Sequence, residues 1–502
     1  MNRFKTKVFY NICLFSSPYF YLAVLLFYWW VSYLSSGYHH FDEHFQLLEF
    51  AGYKKGTALL KDMPWEYGAR IRPTLQPLIC YLILDISRLI GIEDPYFLAF
   101  ILRAITATLA IVIIRYFIGS YTENMTVTSR NTLMLLSYLV WFMPYVNVRF
   151  SSETWSGLFF LLAMGLAIRG MKRNSLPNNI LLGIVLGISI LFRYQTSIMV
   201  FGLYLWFLVV RQIPFCEVVL SLLVLVITLL AGVGIDSAFY GDFQVTFYNY
   251  VNANLIQGIA SQFGTSPWYE ILSYVLFSTG PLGILIVIAY VYLLIYDPRN
   301  VLIWVSLPFL IIHAIIPHKE LRFLFPLINL VPVVLLDAWQ LLGKRLAFDK
   351  KLLVGPVLVL IILNVIAIYC SSLRGAGSAQ VAIGQFIHKN YADQKVNVIC
   401  VNGASPYLGW TWPKDSFYIH PNVSQTEVSS VWEPNAFHRI KGRRNLLVIR
   451  SEDITGVRTE ALFAKNGLKL VYQNFSDLQN LICSIYDSSF KTDMILVYDF
   501  TY

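Results

Sequence analysis

Apolar residues in this chain come in blocks of about 15–25, the length that crosses a hydrocarbon core of roughly 30 Å. They fall near 18–36, 97–116, 131–148, 156–169, 178–192, 195–210, 216–234, 271–296, 301–316, 322–342 and 352–370. This pattern predicts a polytopic α-helical membrane protein with about eleven crossings. Several blocks are short, as expected of helices that end against a polar cavity. With 57% hydrophobic and only 13% charged residues, a water-soluble enzyme and a disordered chain are both excluded, since soluble domains carry roughly 25% charge. The net charge of +9 is read as orientation, because Lys and Arg collect in cytoplasmic loops; no nucleic-acid partner is expected.

Orientation follows from where those bases lie. Arg3, Lys5 and Lys7 would hold the N-terminus in the cytoplasm, and the first block reads as a membrane helix, not a cleaved signal. The block 74–92 carries Asp85 and Arg88 and starts among Pro73 and Pro77. Two charges at mid-membrane are costly, so this block is expected to be re-entrant or interfacial. Arg130, Lys172, Arg173, Arg211, Arg299, Lys344, Arg345, Lys350 and Lys351 then all face inward. The outer face is left with 37–96, 149–155, a short link at Arg193, 235–270 and 317–321. Residues 1–370 form the expected transmembrane domain. Residues 371–502 are more polar and alternate helix-like and strand-like runs, among them Val396–Val401, Asn445–Arg450, Leu468–Tyr472 and Met494–Tyr498. They predict a small extracytoplasmic α/β domain. The six cysteines lack CxxC spacing, which indicates neither a zinc site nor a disulfide framework; Cys400 and Cys483 could pair.

The unusual polar clusters share the outer face. His39-His40-Phe41-Asp42-Glu43-His44 places two carboxylates directly after the first helix, where one could act as general base. A solvated loop and a metal site remain alternatives for these residues. Pro64–Pro73 packs Trp65, Glu66, Tyr67, Arg70 and Arg72 into ten residues, and guanidinium groups there suit a phosphate. Arg193 lies between two short apolar blocks and needs a partner, either Glu153 or Glu43. The segment 236–269, with Trp268, suits a sugar or headgroup. His318-Lys319-Glu320-Leu321-Arg322 concentrates charge at the junction of two apolar blocks, where cations could neutralise a departing lipid phosphate. No Gly-rich phosphate loop is present, which disfavours a nucleotide donor. The residues themselves support a transferase using a polyisoprenoid-phosphate donor, with a lipid or glycolipid transporter (flippase) as the alternative.

Seven motifs in order carry a resemblance: FDEHFQLLE at 41–49, PWEYGARIRP at 64–73, RFSSET at 149–154, FRYQT at 192–196, DSAFYGDF at 236–243, NLIQGIASQFGTSPWYE at 254–270 and HKELRFLFP at 318–326. The chain resembles the glycosyltransferase family 22 mannosyltransferases, which include the GPI-anchor and N-glycan enzymes. It departs from their pattern at Phe41, where Pro is usual, at Leu321, where a second Glu is usual, and at Glu153, where Asn is common. The departures fit a divergent bacterial member as well as an enzyme of the endoplasmic reticulum. The resemblance implies a GT-C fold and an inverting transfer of mannose from a polyprenyl- or dolichyl-phosphate donor to a glycolipid or glycan acceptor on the non-cytoplasmic face. It implies Asp42 as the base and Glu43 as its assistant. His318, Lys319 and Arg322, with Arg72, would stabilise the leaving phosphate; Glu153, Arg193, Trp268 and Glu320 complete the expected substrate site. Neither a cofactor nor a metal is called for. The setting would be the bacterial inner membrane or the membrane of the endoplasmic reticulum.

Overall fold

A computed structural model describes residues 17–173, 175–345, 354–373, 378–407, 413–454, 456–475 and 494–501. Arg3, Lys5, Lys7, Lys350, Lys351 and Cys483 lie outside the described residues. Each apolar block carries helix. Four helices are long and apolar enough to span a bilayer among the described residues: Pro95–Tyr121, Phe215–Tyr240, Leu321–Arg345 and Val354–Ser372. Pro281–Tyr296 and Val301–Ile315 meet the same criterion together, bent by 115° at their junction. Pro18–Leu34, Leu176–Phe192 and Thr196–Val209 are shorter apolar helices. Only 11% of the Val354–Ser372 window is buried within the protein, so its apolar surface needs lipid as solvent. The chain is an integral membrane protein.

Local sequence explains the breaks. The block 271–296 forms two helices, Glu270–Ser278 and Pro281–Tyr296. Gly280 between them takes φ 61°, a left-handed conformation that glycine adopts without a Cβ clash, and Pro281 suits a first helical turn. Residues 74–92 form a single helix, Leu75–Leu89, which is not among the spanning helices.

The chain divides into two compact units. The first comprises Met1–Ser32, Ala69–Ile79 and Leu102–Ile368. Its core is one continuous apolar cluster that includes Tyr28, Ile114, Phe160, Met199 and Phe309. Within it Tyr28 Oη donates to Tyr138 O at 3.1 Å, the kind of pairing that burial of a polar group favours, and beside it Trp155 Nε1 donates to Thr106 Oγ1 at 2.9 Å. One close approach matters below. The helix Ser152–Arg173 meets the tight 3₁₀ segment Leu321–Leu330 at Gly157, where an added Cβ would lie 2.7 Å from Pro326 Cα.

The second unit comprises Tyr33–Gly68, Cys80–Ile101 and Tyr369–Tyr502. Five strands, β1 (Val396–Val401), β2 (Val423–Val428), β3 (Arg444–Arg450), β4 (Lys469–Gln473) and β5 (Ile495–Asp499), form one sheet in the order β2-β1-β3-β5-β4. β1 runs parallel to β2 and β3, while β5 is antiparallel to β3 and β4. Every residue of β1 is buried, the pattern of a strand covered on both faces. Val398 and Val448 pack with Ile383 and Ile387 on one face; Ile399 and Leu447 pack with Phe463 on the other. The small C-terminal α/β fold is therefore present, and its unit also takes in Tyr33–Gly68, which follows the helix Pro18–Leu34. Tyr38, Phe45 and Tyr96 share a cluster with Val381, Tyr407 and Tyr418.

Candidate active site

In the first unit, the predicted cations and carboxylates meet in one network. Glu153 opens the helix Ser152–Arg173. Its Oε1 accepts from Arg193 Nη1 at 3.2 Å and from Arg322 Nη1 at 3.1 Å, with all three side chains about 4–6% exposed. Of the two expected partners, Glu153 is thus one that Arg193 meets. Arg322 Nε pairs with Glu320, whose other oxygen lies 2.7 Å from His318 Nε2. His318 Nδ1 lies 3.0 Å from Gly264 O, so both ring nitrogens face oxygen atoms.

Lys319 differs from its neighbours. It is buried, and its Nζ donates to the carbonyls of Ser266 at 2.9 Å and Ile316 at 2.6 Å. Among the described residues no carboxylate lies within ion-pair distance of it. Burial pushes the ammonium below its ordinary pKa, with Glu270 opposing. A buried charge held only by carbonyls is costly unless something else compensates it.

Beside these charges lies an apolar cavity of about 660 Å³, lined among others by Trp268, Tyr269, Tyr274, Leu321, Leu324 and Phe325. Tyr274 Oη donates to the Lys319 carbonyl at 3.1 Å, which ties the cavity wall to the charged turn. Trp268 is 71% exposed and belongs to that wall. Arg72 is placed by a carboxylate that the sequence reading did not single out. Asp236 Oδ1 accepts from both Thr74 N and Thr74 Oγ1 at 2.7 Å, and its Oδ2 accepts from Thr246. Tyr240 Oη donates to Arg72 O at 3.0 Å. Arg70, at φ 51°, pairs with Asp242, whose carboxyl is held below its ordinary pKa. Arg72 acts electrostatically on Arg193.

In the second unit, Asp42 and Glu43 lie in the short helix Phe41–His44. His40 caps it, its Nδ1 accepting from Asp42 N at 3.2 Å, as N-cap side chains do. Glu43 accepts from His39 N at 2.9 Å. Asp42 keeps 18% of its side chain exposed, with Oδ1 3.6 Å from His40 Nδ1. The next turn, Phe45–Glu49, is a π-helix before α-helix resumes at Phe50–Lys55. Residues five apart point about 140° apart on an α-helix, but the wider π turn aligns them. His44 and Glu49 thereby meet, Nε2 to Oε1 at 3.0 Å, and Asp415 Oδ1 lies 3.0 Å from the same nitrogen. Burial lowers the pKa of His44, but Asp415 and Glu49 outweigh it and hold the ring up to about 10. Asp415 was invisible to sequence reading, because no local pattern links it to position 44.

The Alg9-like mannosyltransferase family matches residues 19–418. GPI mannosyltransferase 3 of Candida albicans is 27% identical over 307 residues, covering 57% of this chain and 56% of that protein. Its counterpart in Debaryomyces hansenii is 24% identical, covering 70% and 63%. The chain thus spans less than two thirds of the length of these relatives. A probable Dol-P-Man:Man(7)GlcNAc(2)-PP-Dol α-1,6-mannosyltransferase of Schizosaccharomyces pombe is 26% identical over 41% of this chain and 36% of its own. The crystal structure of ArnT from Cupriavidus metallidurans bound to undecaprenyl phosphate superposes with a TM-score of 0.55 at 10% identity, covering 97% of this chain and 99% of that one. That likeness concerns the fold, which is the GT-C class. With the match running from the apolar helix Pro18–Leu34 to the segment carrying Asp415, the chain belongs to the Alg9-like mannosyltransferase family.

Proposed function

We propose that this chain is an inverting mannosyltransferase that moves mannose from a polyprenyl- or dolichyl-phosphate-mannose donor to a glycolipid or glycan acceptor on the non-cytoplasmic face. The observation that carries the reading is Lys319, a buried ammonium without a carboxylate partner among the described residues, beside an apolar cavity. A donor with a phosphate and an isoprenoid chain supplies what each lacks: an anion for Lys319 and hydrocarbon for the cavity. The relatives' names include a dolichyl-phosphate-mannose enzyme, which supports the donor class. The membrane is that of the endoplasmic reticulum in a eukaryotic cell and the inner membrane in a bacterial one.

In this reading Asp42 takes the proton of the acceptor hydroxyl as its oxygen bonds the anomeric carbon, and Glu43 orients it. The bond from that carbon to the phosphate oxygen breaks on the opposite face, and the phosphate leaves with the electron pair. Lys319, His318, Arg322 and Arg72 meet the charge as it develops, while Glu153 draws Arg193 and Arg322 onto one oxygen and Glu320 holds Arg322 and His318 in place. Arg193 and Trp268 complete the wall against which the sugar and lipid lie. One displacement inverts the configuration and requires no protein nucleophile.

The test is mannose transfer by the purified protein, with polyprenyl-phosphate-mannose and a glycolipid acceptor. Asp42→Asn is expected to lower kcat by roughly 100–10,000-fold, the contribution of a general base, with donor affinity kept. Undiminished turnover in Asp42→Asn refutes the base. Failure to transfer to any acceptor, with lipid crossing the bilayer of vesicles, establishes a transporter instead.

A further inference from the structure

His44, Glu49 and Asp415 form a cluster for which the proposed transfer has no use. One imidazole nitrogen faces two carboxylate oxygens, each at 3.0 Å, and every side chain in the cluster is about 1% exposed. A single Nε2–H has to be shared between both acceptors. The second oxygens, Glu49 Oε2 and Asp415 Oδ2, are buried and have no hydrogen-bond partner among the described residues. The cluster is enclosed by rings: Tyr418 stacks on His44 at 5.4 Å, Tyr38 lies at 5.2 Å and Phe45 packs edge-on at 5.2 Å. The helix widens into a π turn at the place that aligns His44 with Glu49, a distortion that recurs at functional positions.

We propose that His44 Nε2, Glu49 and Asp415 bind a divalent first-row cation, Zn²⁺ or Mn²⁺. The donor atoms of the three residues all lie within 4.8 Å of one another. With metal–ligand bonds of roughly 2.1 Å, donors 3.0 Å apart subtend about 90° at the ion, the angle of five- and six-coordinate sites. Each carboxylate can turn its second oxygen to the ion, which brings Oε2 and Oδ2 into use. The charges also balance: a neutral imidazole, two carboxylates and a divalent cation sum to zero, whereas a proton on Nε2 leaves a net negative charge in a buried site. The imidazole selects against Mg²⁺ and Ca²⁺, which prefer oxygen donors, and the ordinary affinity order places Zn²⁺ above Mn²⁺. Phe417 N donates to Glu49 Oε1 at 2.8 Å, a supporting contact of the kind that orients metal-binding carboxylates. The ion is structural: it ties the helical segment 41–55 to the chain around Asp415.

This site does not depend on the transferase reading, and its test measures metal instead of turnover. The full-length protein, purified without chelator and freed of any affinity tag, is expected to carry about one equivalent of Zn²⁺ or Mn²⁺. Removing the ion with a chelator lowers Tm, and adding back either cation restores it, because the folded state alone presents the assembled site. Asp415→Asn and Glu49→Gln lose the metal, while the exposed Glu93→Gln keeps it. Absence of bound metal in the unaltered protein, with a Tm indifferent to chelator and to both added cations, overturns the proposal and leaves a proton as the occupant. Metal retained in both Asp415→Asn and Glu49→Gln overturns it as well.

Discussion

Gly157→Ala examines how the charged network is positioned. Glu153 and Gly157 are one turn apart on the helix Ser152–Arg173, and Arg322 and Pro326 are four residues apart in the segment packed against it. An alanine Cβ at 157 would meet Pro326 Cα at 2.7 Å and Pro326 O at 2.8 Å. Both are backbone atoms, so no side chain can swing away. Restoring ordinary contact at about 3.5 Å needs a displacement of roughly 0.8 Å. The segment carrying Arg322 moves away from Glu153, and the 3.1 Å bond between them lengthens beyond useful range. Overpacking costs about 1–3 kcal/mol, offset by up to about 1 kcal/mol from the better helix propensity of alanine. Tm should fall by a few degrees, while a misplacement approaching 1 Å at the site costs up to about 100-fold in rate. The assay is kcat/KM for mannose transfer at a temperature where the variant remains folded, with Gly183→Ala as control. There an added Cβ would lie 2.4 Å from Ser221 O, between Leu176–Phe192 and Phe215–Tyr240 and outside the network. The control should lose stability yet keep kcat/KM. Equal activity losses in the two variants, or no loss in Gly157→Ala, refute the claim that this contact sets the Glu153–Arg322 geometry.

Lys319→Ala should raise KM for the donor by at least tenfold, whereas Asp85→Asn on the helix Leu75–Leu89 should leave it unchanged; donor titrations that show the two behaving alike refute the phosphate role of Lys319. In a cysteine-free background, a thiol introduced by Ser261→Cys should react with an impermeant reagent from the non-cytoplasmic side, and one introduced by Gln212→Cys should be protected. Labelling in the reverse pattern inverts the topology.

The charged turn 318–322 was legible because charge between two apolar blocks is costly enough to signal itself. The role of Asp236 was not, since its partners Thr74 and Thr246 are ordinary threonines far from each other in sequence until folding brings them together. Strands β1, β3, β4 and β5 were visible as short apolar runs, and β1 most clearly, being covered on both faces. The edge strand β2, Val423–Val428, escaped because it is only partly buried and its Ser-Gln-Thr-Glu interior carries no apolar period. Motifs from Asp42 to Arg322 were enough to place the chain in its family.

Hydrophobic length and charge distribution alone determined that this chain enters a membrane and gathers its chemistry in a few polar turns, because burying a charge in hydrocarbon restricts where charges can go. Which charges meet was decided by tertiary structure. Glu153, Arg193 and Arg322 pair only because three separated segments converge, and His44 meets Glu49 through the widened helix and Asp415 only once the C-terminal segment packs beside it. Local sequence encodes the cost of each buried ion, while the partner that offsets it lies far along the chain and is selected by packing.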